Sequence, residues 1–325
     1  MQQSEDPVRL ASAEDGAAPG PVMIIGGAED KLRNRVVLNR FVELAGGPKA
    51  KILVLSTASS LGDAATELYR QVFEKLGVTD VVGIRPETRE EANDQLLVEA
   101  VQSATGVFMT GGNQLKLSSV VGGTRLGAAI LEANGRGVVV AGTSAGASAA
   151  ATHMIAFGSS GATPKHRMAQ VAVGLGLLVN VVVDQHFEQR TRLGRLLAIV
   201  AQSPSLIGMG LDEDTAAIVW PNDTMEVIGK GSVTLVDGSE TLTDAAVASG
   251  HQPMMVSGVK LHSLPQGYCF DLRERRLLSS PHDERALGHL RSGQRRLRNL
   301  VRQVASEGAD SRAPYRSSRY SKASE

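Results

Sequence analysis

Between Val138 and Ala151 the chain has very few shapes open to it. Val138 to Ala141 is an apolar run that reads as a buried strand. It enters Gly142-Thr143-Ser144-Ala145-Gly146, a G-x-S-x-G pattern, and then a run of small residues suited to a closely packed helix. A strand that turns sharply into a helix crowds both flanks of the turn, so a Cβ beside the serine would meet strand or helix. The expectation is a nucleophile elbow with Ser144 at its apex, hydroxyl at the mouth of the sheet and near the positive end of a helix. An ordinary Gly-rich strand-to-helix turn would use the same residues, so the rest of the chain has to decide.

Strands and helices alternate from Val22 onward. Val22 to Gly26, Lys51 to Leu55, Val78 to Ile84 and Gly106 to Met109 read as apolar strands. Asp63 to Leu76 reads as a helix with Ala64, Leu68, Val72 and Leu76 along one stripe, and Arg89 to Val101 as a polar helix. This alternation predicts βαβ units, hence an α/β fold with a mostly parallel central sheet flanked by helices. After about residue 205 short strand-like runs are separated by Asn222-Asp223, Lys230-Gly231 and Asp237-Gly238, which predicts an antiparallel extension of the same sheet.

Formal net charge is zero, so no global field draws the molecule to nucleic acid or to a membrane. Cys269 is the only cysteine, which rules out an internal disulfide and favours a reducing compartment. Residues 1–20 carry no apolar signal-like core, and no run of about 18 apolar residues occurs. A cytoplasmic location is expected. The domain reading is a disordered tail (1–20), a single catalytic α/β domain (21–283) and a basic helix with a disordered end (284–325), the helix spanning 285–304. That basic end lacks a nucleic-acid-binding module, so no nucleic-acid partner is expected.

Ligands of open α/β sheets bind beyond the carboxyl ends of the strands. Four polar or Gly-rich segments follow strand ends here: Gly26 to Asp30, Met109 to Gln114, Gly142 to Gly146, and Asp184 to Phe187. His186, just past the strand Leu177 to Val183, can reach a serine at a neighbouring strand end and take its proton. A lone histidine there also suits a cap or a core position; Ser144 upstream and polar Asp184 and Gln185 favour the base. Gly111-Gly112 would let backbone approach a ligand, so the N–H groups of Gly112 and Ala145 are candidates for an oxyanion hole. Phe187 to Gln202 reads as a helix whose polar side bears Arg190, Arg192 and Arg195, suited to bidentate carboxylate binding or to a solvated basic face. No metal-ligand spacing and no cofactor motif occurs, so neither a metal nor a cofactor is expected.

The chain resembles the cyanophycinase family of serine peptidases. The matching segments are Ile25 to Lys31, Phe108 to Leu115, Ala141 to Ala147, Gly158 to Gly161, Val173 to Gly176, Val183 to Phe187 with its following arginines, and Gly210 to Thr215, in order over roughly residues 22 to 275. The resemblance implies a class I glutamine-amidotransferase-like fold, a homodimer, Ser144 as nucleophile and His186 as base. It implies substrate contacts from Gln114, Asp184, Gln185, Arg190, Arg192 and Arg195, with Asp184 receiving a guanidinium. The implied reaction is exopeptidase cleavage of cyanophycin, arginine-branched polyaspartate, to β-aspartyl-arginine. The family often places a glutamate after Gly-Ser-Ser-Gly as third triad member, and here that position is Ala162. Either the site is a dyad or another carboxylate orients His186, with Glu213 and Asp212 ahead of Asp184. Two rival readings are an aspartyl dipeptidase of the same superfamily and a non-catalytic, amidotransferase-like binding protein.

Overall fold

Alternate side chains of the apolar runs enter two different cores, which is what a strand covered on both faces must do. A computed structural model describes residues 18–278. In it β1 (Val22–Ile25), β2 (Lys51–Leu55), β3 (Asp80–Ile84), β4 (Gly106–Met109) and β5 (Val139–Thr143) run parallel in the order β1-β5-β4-β2-β3. Met23, Ile25, Ile52, Val54 and Phe108 pack on one side against helices α1 (Val36–Leu44) and α2 (Asp63–Lys75). Val22, Ile24, Leu53, Leu55, Val107 and Met109 pack on the other against α3 (Gln95–Ser103), α4 (Gln114–Val121), α5 (Arg125–Gly135) and α6 (Ala145–Ala150). The buried stripe of α2 is Ala65, Tyr69, Val72 and Phe73, not the expected Ala64–Leu68 line; Leu68 is 42% exposed. The aromatic rings decide the rotation of that helix, because Tyr69 and Phe73 pack with Phe108, and Phe73 also with Phe41. The polar stretch before Val101 is a short 3₁₀ turn at Glu91–Asn93 followed by α3, which starts where the Asp94 carboxylate accepts the Leu96 N–H.

The second half departs from the expectation of one mostly parallel sheet. It contributes β6 (Ala151–Gly158), β7 (Ala169–Val173), β8 (Leu178–Gln185), α7 (Leu193–Gln202), β9 (Ile207–Leu211), β10 (Thr215–Val219), β11 (Thr224–Gly229) and β12 (Ser232–Asp237). The small hairpin of β13 (Leu242–Thr243) and β14 (Val256–Ser257) follows, then β15 (Lys260–Pro265), β16 (Cys269–Asp271) and β17 (Arg276–Leu278). Four of these strands, β10, β11, β16 and β17, extend the first sheet antiparallel to β17-β16-β11-β10-β1-β5-β4-β2-β3. Apart from the β13–β14 hairpin, the others build a second, six-stranded sheet, β15-β12-β9-β8-β6-β7, in which only the β6/β8 and β8/β9 pairs are parallel. Both sheets are therefore mixed. Short turns force successive strands to reverse, but the choice of sheet rests on distant partners that local pattern does not reveal.

The chain passes from one sheet to the other between β5 and β6 and again between β9 and β10. These crossings bring Ser144 and Glu213 to the seam where β8 ends. Gly20 is tied to the fold, its N–H donating to the Asn134 carbonyl at 2.7 Å and its carbonyl accepting from Asn134 Nδ2 at 3.0 Å. Most of the expected N-terminal tail (1–17), the last residues of the expected catalytic domain (279–283) and the basic helix with its end (284–325) lie outside the described residues. Among the described residues no helix is long and apolar enough to cross a membrane.

Candidate active site

Ser144 sits between the end of β5 and the start of α6 with φ 52° and ψ −107°. A non-glycine residue held there costs about 1–3 kcal/mol and persists only when its surroundings over-determine it. Gly142 and Gly146 provide the room. A Cβ on Gly142 would lie 2.8 Å from Ala147 N, and one on Gly146 would lie 2.9 Å from Met109 Cβ. The Ser144 N–H donates to the Ile25 carbonyl at 3.0 Å, and its carbonyl accepts the Ser148 N–H at 3.1 Å. The helix therefore begins at Ala145, whose N–H is among the first-turn donors that no helical carbonyl can satisfy.

His186 follows β8 directly and also has a positive φ, 48°. Its Nε2 lies 2.9 Å from Ser144 Oγ, and its Nδ1 lies 2.6 Å from Glu213 Oε1. A carboxylate at Nδ1 favours the tautomer with the proton on Nδ1, which leaves the Nε2 lone pair facing the serine hydroxyl. Burial pushes the His186 imidazole below its ordinary value; the Glu213 hydrogen bond opposes this, and the nearby Arg190 charge adds to it. The ring is thus neutral at pH 7 and able to accept a proton. Glu213 lies in the turn between β9 and β10, with its side chain 37% exposed and its N–H donating to Gln189 Oε1 at 3.0 Å. Asp212 faces elsewhere: its carboxylate accepts the Glu188 N–H, the Ser232 N–H and the Ser232 hydroxyl.

The arginines divide. Helix α7 begins only at Leu193, so Arg190 and Arg192 stand on the preceding turn and not on the expected helical face. The turn is built by Phe187 N–H to the Leu211 carbonyl and Arg190 N–H to the His186 carbonyl, with Thr191 at φ 50°. Asp184 is fully buried, and Arg195 takes both its oxygens, Nε on Oδ2 at 2.6 Å and Nη2 on Oδ1. Arg192 Nη1 adds a third contact to Asp184 Oδ1 at 3.2 Å and also reaches the Gln185 carbonyl and Gln185 Oε1. Asp184 and Arg195 are therefore an internal ion pair, where the sequence suggested cleft-facing groups. Taking these charges out of water is tolerable only because they neutralise one another.

Arg192 is otherwise placed. Its Nε is buried and without a partner, and the side chain lines a cleft of about 490 Å³ with Ala162, Thr191, Ser232 and Thr234. Burial lowers its pKa to about 10, against the pull of Asp184. Arg190 is exposed, and Gln114 donates Nε2 to the Ile155 and Ala156 carbonyls at 3.1 and 2.7 Å. The Thr110–Gly112 loop borders the serine: a Cβ on Gly111 would be 3.2 Å from Ser144 Cβ. Beside Glu213 a second cleft, of about 450 Å³, is lined by Asp30, Glu188, Glu213 and Asp214 with Lys230. Sequence reasoning missed Gln189 and Tyr69 and carried Thr143 only as part of the Gly142–Gly146 turn. It noted Glu29 only as part of the Gly26–Asp30 segment.

A serine, an imidazole and a carboxylate in hydrogen-bonded series at a sheet edge define a hydrolase-type centre. Residues 22–228 match the model of peptidase family S51, and the chain belongs to that family. It is 39% identical to a cyanophycinase of Nostoc sp. over 263 residues, covering 80% of this chain and 88% of that one. A cyanophycinase of Synechococcus elongatus is 38% identical over 270 residues, covering 82% and 84%. Among solved structures, a peptidase from an acI-B1 Actinobacterium shares the fold with a TM-score of 0.57 and 24% identity, over 77% of this chain and 98% of that one.

Proposed function

We propose that this protein is a serine exopeptidase that hydrolyses cyanophycin to β-aspartyl-arginine dipeptides through an acyl-enzyme. The observation that carries the reading is the unbroken series from Ser144 Oγ through His186 to Glu213. The cyanophycinase relatives, matched over most of both chains, supply the substrate.

Ser144 Oγ attacks the carbonyl carbon of the scissile amide while its proton passes to His186 Nε2. The tetrahedral oxyanion is held by the N–H groups of Gly112 and Ala145. Collapse breaks the C–N bond, and His186 returns the proton to the leaving amine. Water then attacks the ester carbonyl as His186 Nε2 takes its proton; collapse breaks the C–Oγ bond, and His186 returns the proton to Ser144 Oγ as the acid product leaves. Glu213 takes the role that Ala162 cannot, fixing the imidazole tautomer and stabilising the imidazolium. Arg192, which lines the cleft of about 490 Å³, and exposed Arg190 are suited to a substrate carboxylate. The carboxylates around the neighbouring cleft suit the arginine branches. To the same reading belong a nucleophile elbow at Ser144, a glutamine-amidotransferase-like arrangement, one catalytic domain over 21–283, a homodimer and a cytoplasmic location.

The test is mass spectrometry of the products formed from insoluble cyanophycin by the wild type and by Ser144→Ala. β-Aspartyl-arginine from the wild type alone is expected. Release of the same dipeptide at similar rates by the folded variant would end the serine mechanism. Inert cyanophycin beside cleaved free aspartyl dipeptides would move the substrate to the smaller class.

A further inference from the structure

The stretch Ile25–Lys31, which leaves the end of β1, touches the three loops that carry Ser144, His186 and Glu213. The Ile25 carbonyl accepts the Ser144 N–H at 3.0 Å, the Gly26 carbonyl accepts the His186 N–H at 2.9 Å, and the Gly27 carbonyl accepts the Asp214 N–H at 2.9 Å. Asp30 N–H donates to Asp214 Oδ1 at 2.8 Å. Three catalytic loops drawn from two sheets are thus gathered by seven consecutive residues. The approach is close: Gly27 has φ 96°, and a Cβ there would lie 2.6 Å from His186 Nε2. The bracket is stiffened from within, because the Asp30 carboxylate accepts the backbone N–H groups of Arg35, Arg33 and Leu32, which hold its pKa far below the ordinary range.

Glu29 lies at the centre of this bracket, 3% exposed. Its Oε2 accepts the Thr143 hydroxyl at 2.6 Å; its Oε1 accepts the Tyr69 hydroxyl at 2.5 Å and pairs with Lys31 Nζ at 2.9 Å. Lys31 also stands 5.2 Å over the Tyr69 ring. Burial and the adjacent Glu29 push the Tyr69 phenol well above its ordinary value, so it remains a donor. Thr143 is the residue before the nucleophile, and its side chain is the one group of the strained turn that a carboxylate grips directly. A backbone held at φ 52° relaxes unless its neighbours prevent it. Nothing in the acyl-transfer steps themselves uses Glu29.

We propose that Glu29 is a positioning residue: through the Thr143 hydroxyl its buried carboxylate holds Ser144 in the turn that aims Oγ at His186. This rests on the reading of Ser144 as nucleophile. A purely structural Glu29 would lower stability alone when altered, whereas a positioning Glu29 sets the reactivity of the serine in molecules that are folded.

The experiment compares Thr143→Val, Thr143→Ser and Glu29→Gln with the wild type and Ser144→Ala. It reads thermal unfolding, the rate at which a fluorophosphonate labels Ser144, and kcat and KM on cyanophycin. Thr143→Val keeps the shape of the side chain and removes the donor. Labelling and kcat are expected to fall together, by about 10- to 100-fold, with KM within about twofold, as for a misplaced nucleophile. Thr143→Ser restores the hydroxyl and is expected to recover labelling to within about threefold of wild type. Glu29→Gln should fall on the same line of kcat against labelling rate, and serves alone if Thr143→Val does not fold. Wild-type labelling by folded Thr143→Val or, where that variant does not fold, by folded Glu29→Gln would overturn the proposal, as would a Thr143→Ser as slow as Thr143→Val. Turnover retained by Ser144→Ala would instead remove the nucleophile on which the proposal stands.

Discussion

Replacing Glu213 by alanine isolates the contribution of the carboxylate to the histidine. The bond it removes is short, 2.6 Å between Nδ1 and Oε1, and becomes charge-assisted as His186 takes up the serine proton. A hydrogen bond to a charged group contributes about 1.5–3 kcal/mol, which is roughly 10- to 150-fold in rate. In the serine protease triad, loss of a buried aspartate's charge lowers kcat by about 10⁴ because the wrong tautomer prevails. Glu213 is 37% exposed at its side chain, so water can reach Nδ1 in the variant and preserve part of the correct tautomer. The expected loss in kcat/KM is on the order of 10²-fold. The pH profile carries a second signature. In the proposed mechanism His186 acts as base only when neutral, so activity is expected to fail as pH falls through its pKa. Burial already places that pKa below the ordinary imidazole value, and the Glu213 bond is what holds it up. Glu213→Ala should therefore lower the plateau and move the acid limb of kcat/KM to more acid pH. The assay is kcat/KM for cyanophycin across about pH 5–8. A plateau within about threefold of wild type, with an unmoved limb, would show that the site works as a dyad.

Three further outcomes follow from the geometry. Asp184→Ala leaves Arg195 and Arg192 buried without their carboxylate and should destabilise the fold by about 3–5 kcal/mol, read by chemical denaturation. Arg192→Lys exchanges a fork for a point charge at the cleft and should raise KM by about tenfold, with a smaller change in kcat in steady-state kinetics. Gly146→Ala drives a methyl against Met109 and should cost about 1–3 kcal/mol in denaturant unfolding while slowing fluorophosphonate labelling of Ser144.

Much of the site was legible where the evidence is local. Ser144 and its two glycines announce themselves because strand, turn and helix are consecutive in the chain. His186 was readable from its place just past an apolar run. The arginines were read too far into a helix: the apolar spacing of Leu193 to Val200 extends backward on paper, but the turn at 187–192 is set by hydrogen bonds to Leu211 and His186. Asp184 misled for a different reason. Asp184, Arg192 and Arg195 have the same spacing whether they face a ligand or one another, and only burial tells the two apart. Glu213 was the foremost sequence candidate, with Asp212 beside it; the fold directs Glu213 to His186 and Asp212 to the Glu188 and Ser232 amides.

The amino-acid sequence alone determined the alternating strands and helices and the turn around Ser144, because these depend on sterics and periodicity between near neighbours. The tertiary structure alone decided that the strands divide into two mixed sheets and that Glu213 completes the series. It alone committed Asp184 to the interior and set Glu29 beneath Thr143, 114 residues away. Each of these depends on which distant segments share a desolvated space, where the cost of an unpaired charge or an unsatisfied N–H selects the partner.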